Sequence, residues 1–304
     1  MYFVEGFVVE SMTVKAYAKV NLSLDVLRKR EDGYHDVKMI MQNLGIYDEL
    51  TFEVSLGEDC KITMSSNKDN IPLDERNLVY KAIKLMMEEF DIKANIHVTL
   101  IKNIPVEAGM AGGSTDCAAA FRCMNKLFKL GLSVEELMKY GVRLGADVPY
   151  CILGETAISE GIGEVLTPCK GLGDCYVVVA KPPISVSTKM VYTNLKANEL
   201  KEHPDVDGMA KALNEGSLTE VTSRMSNVLE TVTVNLYKEI EDIKNIMKNQ
   251  GALNAIMSGS GPTVFGIFED KLLAEKVAKT ISDMGLSKEI FVTTPVNKVY
   301  GEEA

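Results

Sequence analysis

Between residues 94 and 129 the sequence passes from two-residue alternation, through a proline and a run of small residues, into an alanine-rich stretch. That succession predicts a strand over 94–100, a loop, and a helix over 115–129 stopped by Gly131, a unit that commits the chain to helices layered on a sheet. The loop reads Pro105-Val106-Glu107-Ala108-Gly109-Met110-Ala111-Gly112-Gly113-Ser114-Thr115. Gly109, Gly112 and Gly113 leave the backbone bare, so its N–H groups can close on phosphate oxygens in front of a positive helix end. Ser114 or Thr115 can cap the helix or turn a hydroxyl toward phosphate or Mg²⁺. A ligand-free strand-to-helix turn accounts for the glycines as well. No Walker A sequence occurs, and the spacing misses the dinucleotide fingerprint, so phosphate binding here would use a different loop.

Residues 13–27 alternate with period two. Val14, Ala16, Ala18, Val20, Leu22, Leu24 and Val26 fall on one side, and Lys15, Tyr17, Lys19, Asn21, Ser23 and Asp25 on the other, which predicts a long half-buried strand. Lys19 and Asn21 then point the same way, roughly 7 Å apart. Asp32-Gly33 predicts a turn near Tyr34, with His35 just after it. Residues 77–90 carry helical spacing. Ser133 and Glu136 form a capping-box pattern, opening a helix expected to end near Gly145. Asp147 would lie just past that end, ahead of Pro149 and an apolar strand.

The composition changes near residues 167–174. Beyond it the pattern predicts a strand over 176–180, helices around 189–194, 209–228 and 236–248, a strand over 255–268, a helix over 272–284 and a strand over 290–293. The order suits an α+β sandwich. Ser258-Gly259-Ser260-Gly261-Pro262 interrupts the strand over 255–268, either as a bulge or turn or as a close backbone approach to a ligand or to the first glycine loop.

Composition narrows the function. Lys and Arg total 33 against 43 Asp and Glu, a net charge of −10 that disfavours a nucleic-acid binder. The six cysteines form no C-x-x-C pair, and no window has the roughly 18 apolar residues that span a bilayer. A reduced, cytoplasmic protein with no membrane partner is expected. Alone, Lys19 reads as a solvated strand lysine and Asp147 as a turn residue. Beside the glycine loop they would supply a cation, a proton acceptor and a phosphate cradle, the parts phosphoryl transfer needs.

Six segments in order, residues 16–22, 32–35, 105–115, 144–149, 160–164 and 258–262, resemble the family of galactokinase, homoserine kinase, mevalonate kinase and phosphomevalonate kinase, the GHMP kinases. The resemblance spans about residues 15–294. Gly-Tyr-His at 33–35 and Glu-Gly-Ile-Gly-Glu at 160–164 point within it to the branch whose acceptor is a cytidine diphosphate sugar alcohol of non-mevalonate isoprenoid synthesis. It implies an α+β, two-domain fold: an ATP-binding domain over 1–167 with a mixed sheet, and a ferredoxin-like sandwich over 168–304 whose last strand could return to the first domain. It further implies Asp147 as the base for the acceptor's 2-hydroxyl and Lys19 as its cationic partner. The loop 105–115 would hold ATP, with Mg²⁺ carried on it. Asn21 would touch the sugar alcohol, and Tyr34 and His35 the cytosine, one by stacking and one by hydrogen bonds. Thr188 and Tyr192 would add substrate contacts, Tyr192 as the opposing aromatic. A mevalonate or homoserine kinase, or a non-catalytic ATP or sugar sensor, are the competing readings. Ala108 and Ala111 stand where some relatives carry glycine. Residues 1–11 precede the family's usual beginning, so either Met12 is the natural start or the segment adds an edge strand.

Overall fold

The structure, a computed structural model, describes residues 2–4, 7–57 and 59–300. Strand β1 (Tyr2–Val4) pairs antiparallel with the start of β2 (Phe7–Lys29), so the segment before Met12 does add an edge strand. From Lys29 the chain turns at once into β3 (His35–Leu56), making a long antiparallel hairpin. The turn follows from Asp32-Gly33: Gly33 takes φ +88°, and the Asp32 carboxylate accepts the Tyr34 N–H at 3.0 Å. The first sheet continues through β4 (Ile62–Ser66), helix α1 (Leu78–Glu89) and β5 (Ala94–Ile101). Helices α2 (Gly112–Leu127), α3 (Val134–Gly141) and α4 (Val148–Leu153) come next, then β6 (Ala157–Gly161) and β7 (Val165–Pro168). The core of β3 switches partners along its length, from β6 at Val37–Met41 to β5 at Glu49–Leu56.

The second half runs β8 (Tyr176–Lys181), α5 (Thr188–Asn194), α6 (Val206–Glu215), α7 (Leu218–Ser223), β9 (Ser226–Asn227), α8 (Glu230–Leu236) and α9 (Lys238–Asn249). It ends with β10 (Asn254–Met257), β11 (Val264–Phe268), α10 (Lys271–Asp283), β12 (Glu289–Thr293) and β13 (Pro295–Val296). Its antiparallel sheet has the order β10-β11-β8-β12, the ferredoxin-like arrangement expected of an α+β two-domain fold. Strand β12 stays in this sheet, and the chain then returns: β13 pairs with β3 at Leu44 and Asn43.

Strand β2 alternates between exposed and covered residues over 13–17, as expected, but from Ala18 to Val26 it is buried on both faces. Ala18, Val20 and Leu22 pack in a core shared with Val177, Val179, Met209 and Phe265 of the second half, while Ala16, Leu24 and Val26 join the core under α1 and α2. The alternating set divides because the β2–β3 register shifts between Tyr17 and Lys19 and again between Asn21 and Ser23. Lys19 and Asn21, between the two shifts, are buried polar residues on a strand covered on both faces.

Three further expectations need correction. Helix α2 begins at Gly112 rather than Thr115, and neither Ser114 nor Thr115 caps it; Ala111 precedes it in a left-handed conformation, φ 57°, with no side-chain capping bond. Asp147 leads into a helix rather than a strand, since Pro149 sits in the first turn of α4 where no N–H is needed. The helix expected over 209–228 breaks at Gly216, φ +75°, into α6 and α7, and α8 precedes α9. The interruption at 258–262 is a hairpin turn between the antiparallel strands β10 and β11, one of the readings the sequence offered. The capping box at Ser133 and Glu136 forms as expected. Among the described residues no helix is long and apolar enough to cross a membrane.

Candidate functional site

A cavity of about 860 Å³ opens where β2, the loop before α2, α4, α5 and the loop between β10 and β11 converge. Lys19, Asn21, Tyr34, His35, Asp147, Thr188, Tyr192, Gly259 and Ser260 line it, as do Pro105–Gly109 and Ala111–Ser114. Four expected residues do not. Met110 is buried in the core and only its carbonyl is used, accepting the Lys19 N–H at 3.2 Å. Thr115 is buried inside the first turns of α2. Ser258 is buried and donates its hydroxyl to the Gly109 carbonyl at 2.9 Å, and Gly261 borders a smaller neighbouring hollow.

Lys19 is the hub. Its ammonium donates to Asn21 Oδ1 at 2.8 Å and to the Gly109 carbonyl at 3.5 Å, and it stands 3.6 Å from the Asp147 carboxylate. The same-face placement read from period two is therefore correct. Lys19 is 5% exposed at its side chain while Asp147 is 33% exposed, so the pair has one dry and one open member. Asp147 is the residue before α4, where a short acidic side chain ordinarily bonds the helix N–H groups. Here it makes no capping hydrogen bond, which leaves the carboxylate free to face Lys19 and the cavity.

The two glycine loops touch. A Cβ on Gly109, φ +70°, would lie 2.4 Å from the Ser258 carbonyl oxygen, so only glycine fits. Asn227, brought in by the parallel pairing of β9 with β2, donates Nδ2 to the Met257 and Gly259 carbonyls at 2.8 Å each. Thr188 Oγ1 and Ser260 Oγ are hydrogen-bonded at 2.8 Å.

At the other end, His35 and Tyr192 pack with ring centroids 5.2 Å apart, so no third ring fits between those two. Tyr34 is 57% exposed at the rim. Burial first, and the Lys29 ammonium second, lower the His35 pKa from its ordinary value, which favours the neutral imidazole. Burial, with some help from Asp147, keeps the Tyr192 phenol protonated.

Sequence reasoning missed the cavity floor. Lys102 is buried with Asp48 and Asp116: it pairs with Asp48 and lies 2.8 Å from Asp116 Oδ2, while Asp48 Oδ1 accepts the Asn103 and Ile104 N–H groups. Two carboxyls share one ammonium in a dry site, which disfavours a charge on both at once. Burial, against the pull of Lys102 and with the push of Asp48, raises Asp116 to about 8. Burial works against the Lys102 charge, but Asp116 and Asp48 outweigh it and hold its pKa above the usual lysine value. The available signal was a lysine directly after a strand and ahead of the loop; its partners lie elsewhere in the chain.

The lining reverses the protein's charge locally. Lys19, Lys29, Arg76, Lys102 and Lys189 face it, against Glu107, Asp116 and Asp147, so a chain of net charge −10 presents a cationic wall. Among the described residues no three His, Cys, Asp or Glu side chains gather as a metal cage.

The sequence matches two family models, the GHMP kinases N terminal domain over residues 77–155 and the GHMP kinases C terminal domain over residues 209–285. It is 50% identical over 282 residues to a 4-diphosphocytidyl-2-C-methyl-D-erythritol kinase of Lachnoclostridium phytofermentans, covering 93% of this chain and 96% of the relative. A kinase of the same name from Lachnospira eligens is 48% identical over 93% of this chain and 98% of its own. A crystal structure of 4-(cytidine 5'-diphospho)-2C-methyl-D-erythritol kinase superposes with TM-score 0.80 at 29% identity, covering 93% of this chain and 99% of that one. The homoserine kinase of Cytophaga hutchinsonii, at TM-score 0.77 and 21% identity over 99% and 98% of the two chains, shares the fold.

Proposed function

The chain belongs to the GHMP kinase family, among its 4-diphosphocytidyl-2-C-methyl-D-erythritol kinases, and from that premise we propose that Asp147, Lys19 and the loop 105–115 carry the transfer. The reaction moves the γ-phosphoryl group of ATP to the 2-hydroxyl of 4-diphosphocytidyl-2-C-methyl-D-erythritol, a step of non-mevalonate isoprenoid precursor synthesis. The observation that carries the residue assignment is the Lys19 ammonium, held between the Asp147 carboxylate and the Gly109 carbonyl of the phosphate loop.

Asp147 accepts the proton of the attacking hydroxyl, and Lys19 orients that carboxylate and balances charge growing on the transferred group. The N-terminus of α2 and the loop N–H groups cradle the nucleotide phosphates. Asn21, bonded to Lys19, faces the sugar alcohol. Tyr34, His35 and Tyr192 form the pyrimidine end, with neutral His35 offering hydrogen bonds and the tyrosine rings their faces, while Thr188 contacts the substrate through the hydroxyl it shares with Ser260. The base lies against the His35–Tyr192 pair rather than between its rings.

The donors suit a Mg²⁺ that keeps phosphate and water ligands, as this ion usually does. Asp116 is locked to Lys102, leaving Glu107 and Asp147 as the lining carboxylates available to it. When bound, Mg²⁺ draws charge from the phosphate oxygens.

The test mixes the protein with Mg·ATP and 4-diphosphocytidyl-2-C-methyl-D-erythritol and follows ADP release with phosphorus NMR. A new 2-phosphomonoester signal, absent with mevalonate or homoserine, is expected. ATP binding without turnover of any of the three would overturn the reading in favour of a sensor.

A further inference from the structure

We infer that Arg122 and Tyr300 are positioning residues, a latch behind the site that sets the Asp147 carboxylate against the phosphate loop. The inference rests on the reading that Asp147 and that loop carry the reaction. The loop opens α2 and Asp147 opens α4, so the separation of the two groups depends on how these helices are held together. Helix α4 has six residues, too few to be stable by itself, and its place is fixed from outside.

Val148, Tyr150 and Ile152 pack into the core with α2 and α3 along its length, and a clasp closes on its far end. Arg122, on α2, donates Nε and Nη2 to the Ile152 carbonyl, the first at 2.9 Å, putting a cation at the C-terminus of α4. The returning carboxyl-terminal segment completes the clasp. Tyr300 donates its hydroxyl to the Cys151 carbonyl at 3.3 Å, the Val299 N–H reaches the Gly154 carbonyl at 2.8 Å, and Lys298 pairs with Glu155 at 3.4 Å. The Arg122 guanidinium lies 3.6 Å from the centre of the Tyr300 ring. Gly154 admits this close packing: at φ +69°, a Cβ would meet the ring at 2.6 Å. Burial keeps the Tyr300 phenol protonated, hence a lasting donor.

A helix of this length spans about 9 Å and moves as a rigid piece, so a tilt at Ile152 reappears at Asp147. Phosphoryl transfer is sensitive to that displacement, since about 1 Å of misplacement can cost on the order of 100-fold in rate. A merely structural cap would lower stability without singling out turnover.

The full-length Tyr300→Ala, Tyr300→Phe and Arg122→Lys variants are made alone and combined with Asp147→Asn, and kcat, both KM values and ATP affinity are measured. Tyr300→Ala and Arg122→Lys should each lower kcat about tenfold, with KM and ATP Kd within about twofold. Tyr300→Phe, which keeps the ring over the guanidinium, should recover most of that loss. Neither change should slow Asp147→Asn further, because a residue acting through Asp147 has nothing left to position. An unchanged kcat in Tyr300→Ala, or an equal loss in the Asp147→Asn background, would overturn the latch. If Tyr300→Ala does not fold, Arg122→Lys decides on the same criteria. The failure of the latch is distinct from failure of the underlying assignment, which shows instead as near-parental kcat in Asp147→Asn alone.

Discussion

Replacing Gly109 with alanine probes the interlock between the two glycine loops. The new Cβ would lie 2.4 Å from the Ser258 carbonyl oxygen and 3.2 Å from that of Gly261, both backbone atoms that cannot swing aside. The backbone also sits at φ +70°, where a left-handed conformation costs an L-residue about 1–2 kcal/mol. Forcing the loops apart adds about 1–3 kcal/mol as overpacking, for a total of roughly 2–5 kcal/mol. In a chain of this size the thermal midpoint should fall by roughly 4–10 °C. Gly33→Ala is the control: φ is +88°, but nothing lies within 4 Å of the added carbon, so it should lose only the backbone part, about 1–2 kcal/mol. Calorimetric titration with ATP and steady-state kinetics then separate the two. Gly109→Ala should weaken ATP binding at least about tenfold, because the loop N–H groups move, and Gly33→Ala should leave it intact. ATP affinity and kcat within twofold of the parent in Gly109→Ala would refute the claim that contact between the loops shapes the phosphate cradle.

Three further outcomes are expected. Asp147→Asn, isosteric but unable to take a proton, should lower kcat by about 10²–10⁴-fold in a protein with parental thermal stability, read by initial rates beside a melting curve. Asp116 has a folded pKa raised to about 8 against an ordinary 3.8, so it binds a proton more tightly folded than unfolded, and its stabilisation is complete below about 4 and lost as pH rises through 8. Urea midpoints should therefore decline from pH 4 toward pH 8 in the parent and decline less in Asp116→Asn; parallel curves would argue that Asp116 is charged. Ala111→Gly should relieve the left-handed backbone just ahead of α2 and raise stability by about 0.5–1 kcal/mol, seen as a higher melting midpoint.

The sequence by itself determined what depends on neighbours a few residues apart. Period two placed Lys19 and Asn21 on one side of a strand, Asp32-Gly33 specified its turn, Ser133 and Glu136 capped α3, and the glycines announced a bare loop before a helix. These are short-range consequences of backbone geometry. Tertiary structure decided what such geometry leaves open. Two register shifts divided the apolar side of β2 between two cores, which no alternation could reveal because the cause lies in the pairing with β3. The residues after Asp147 are apolar enough for a strand, and packing on α2 and α3 made them a helix. The Lys102 cluster joins residues 48, 102 and 116, and the clasp on α4 joins residues 122, 152 and 300. A buried charge is tolerable only beside its partner, and the partner's position is a property of the fold rather than of any local stretch of chain.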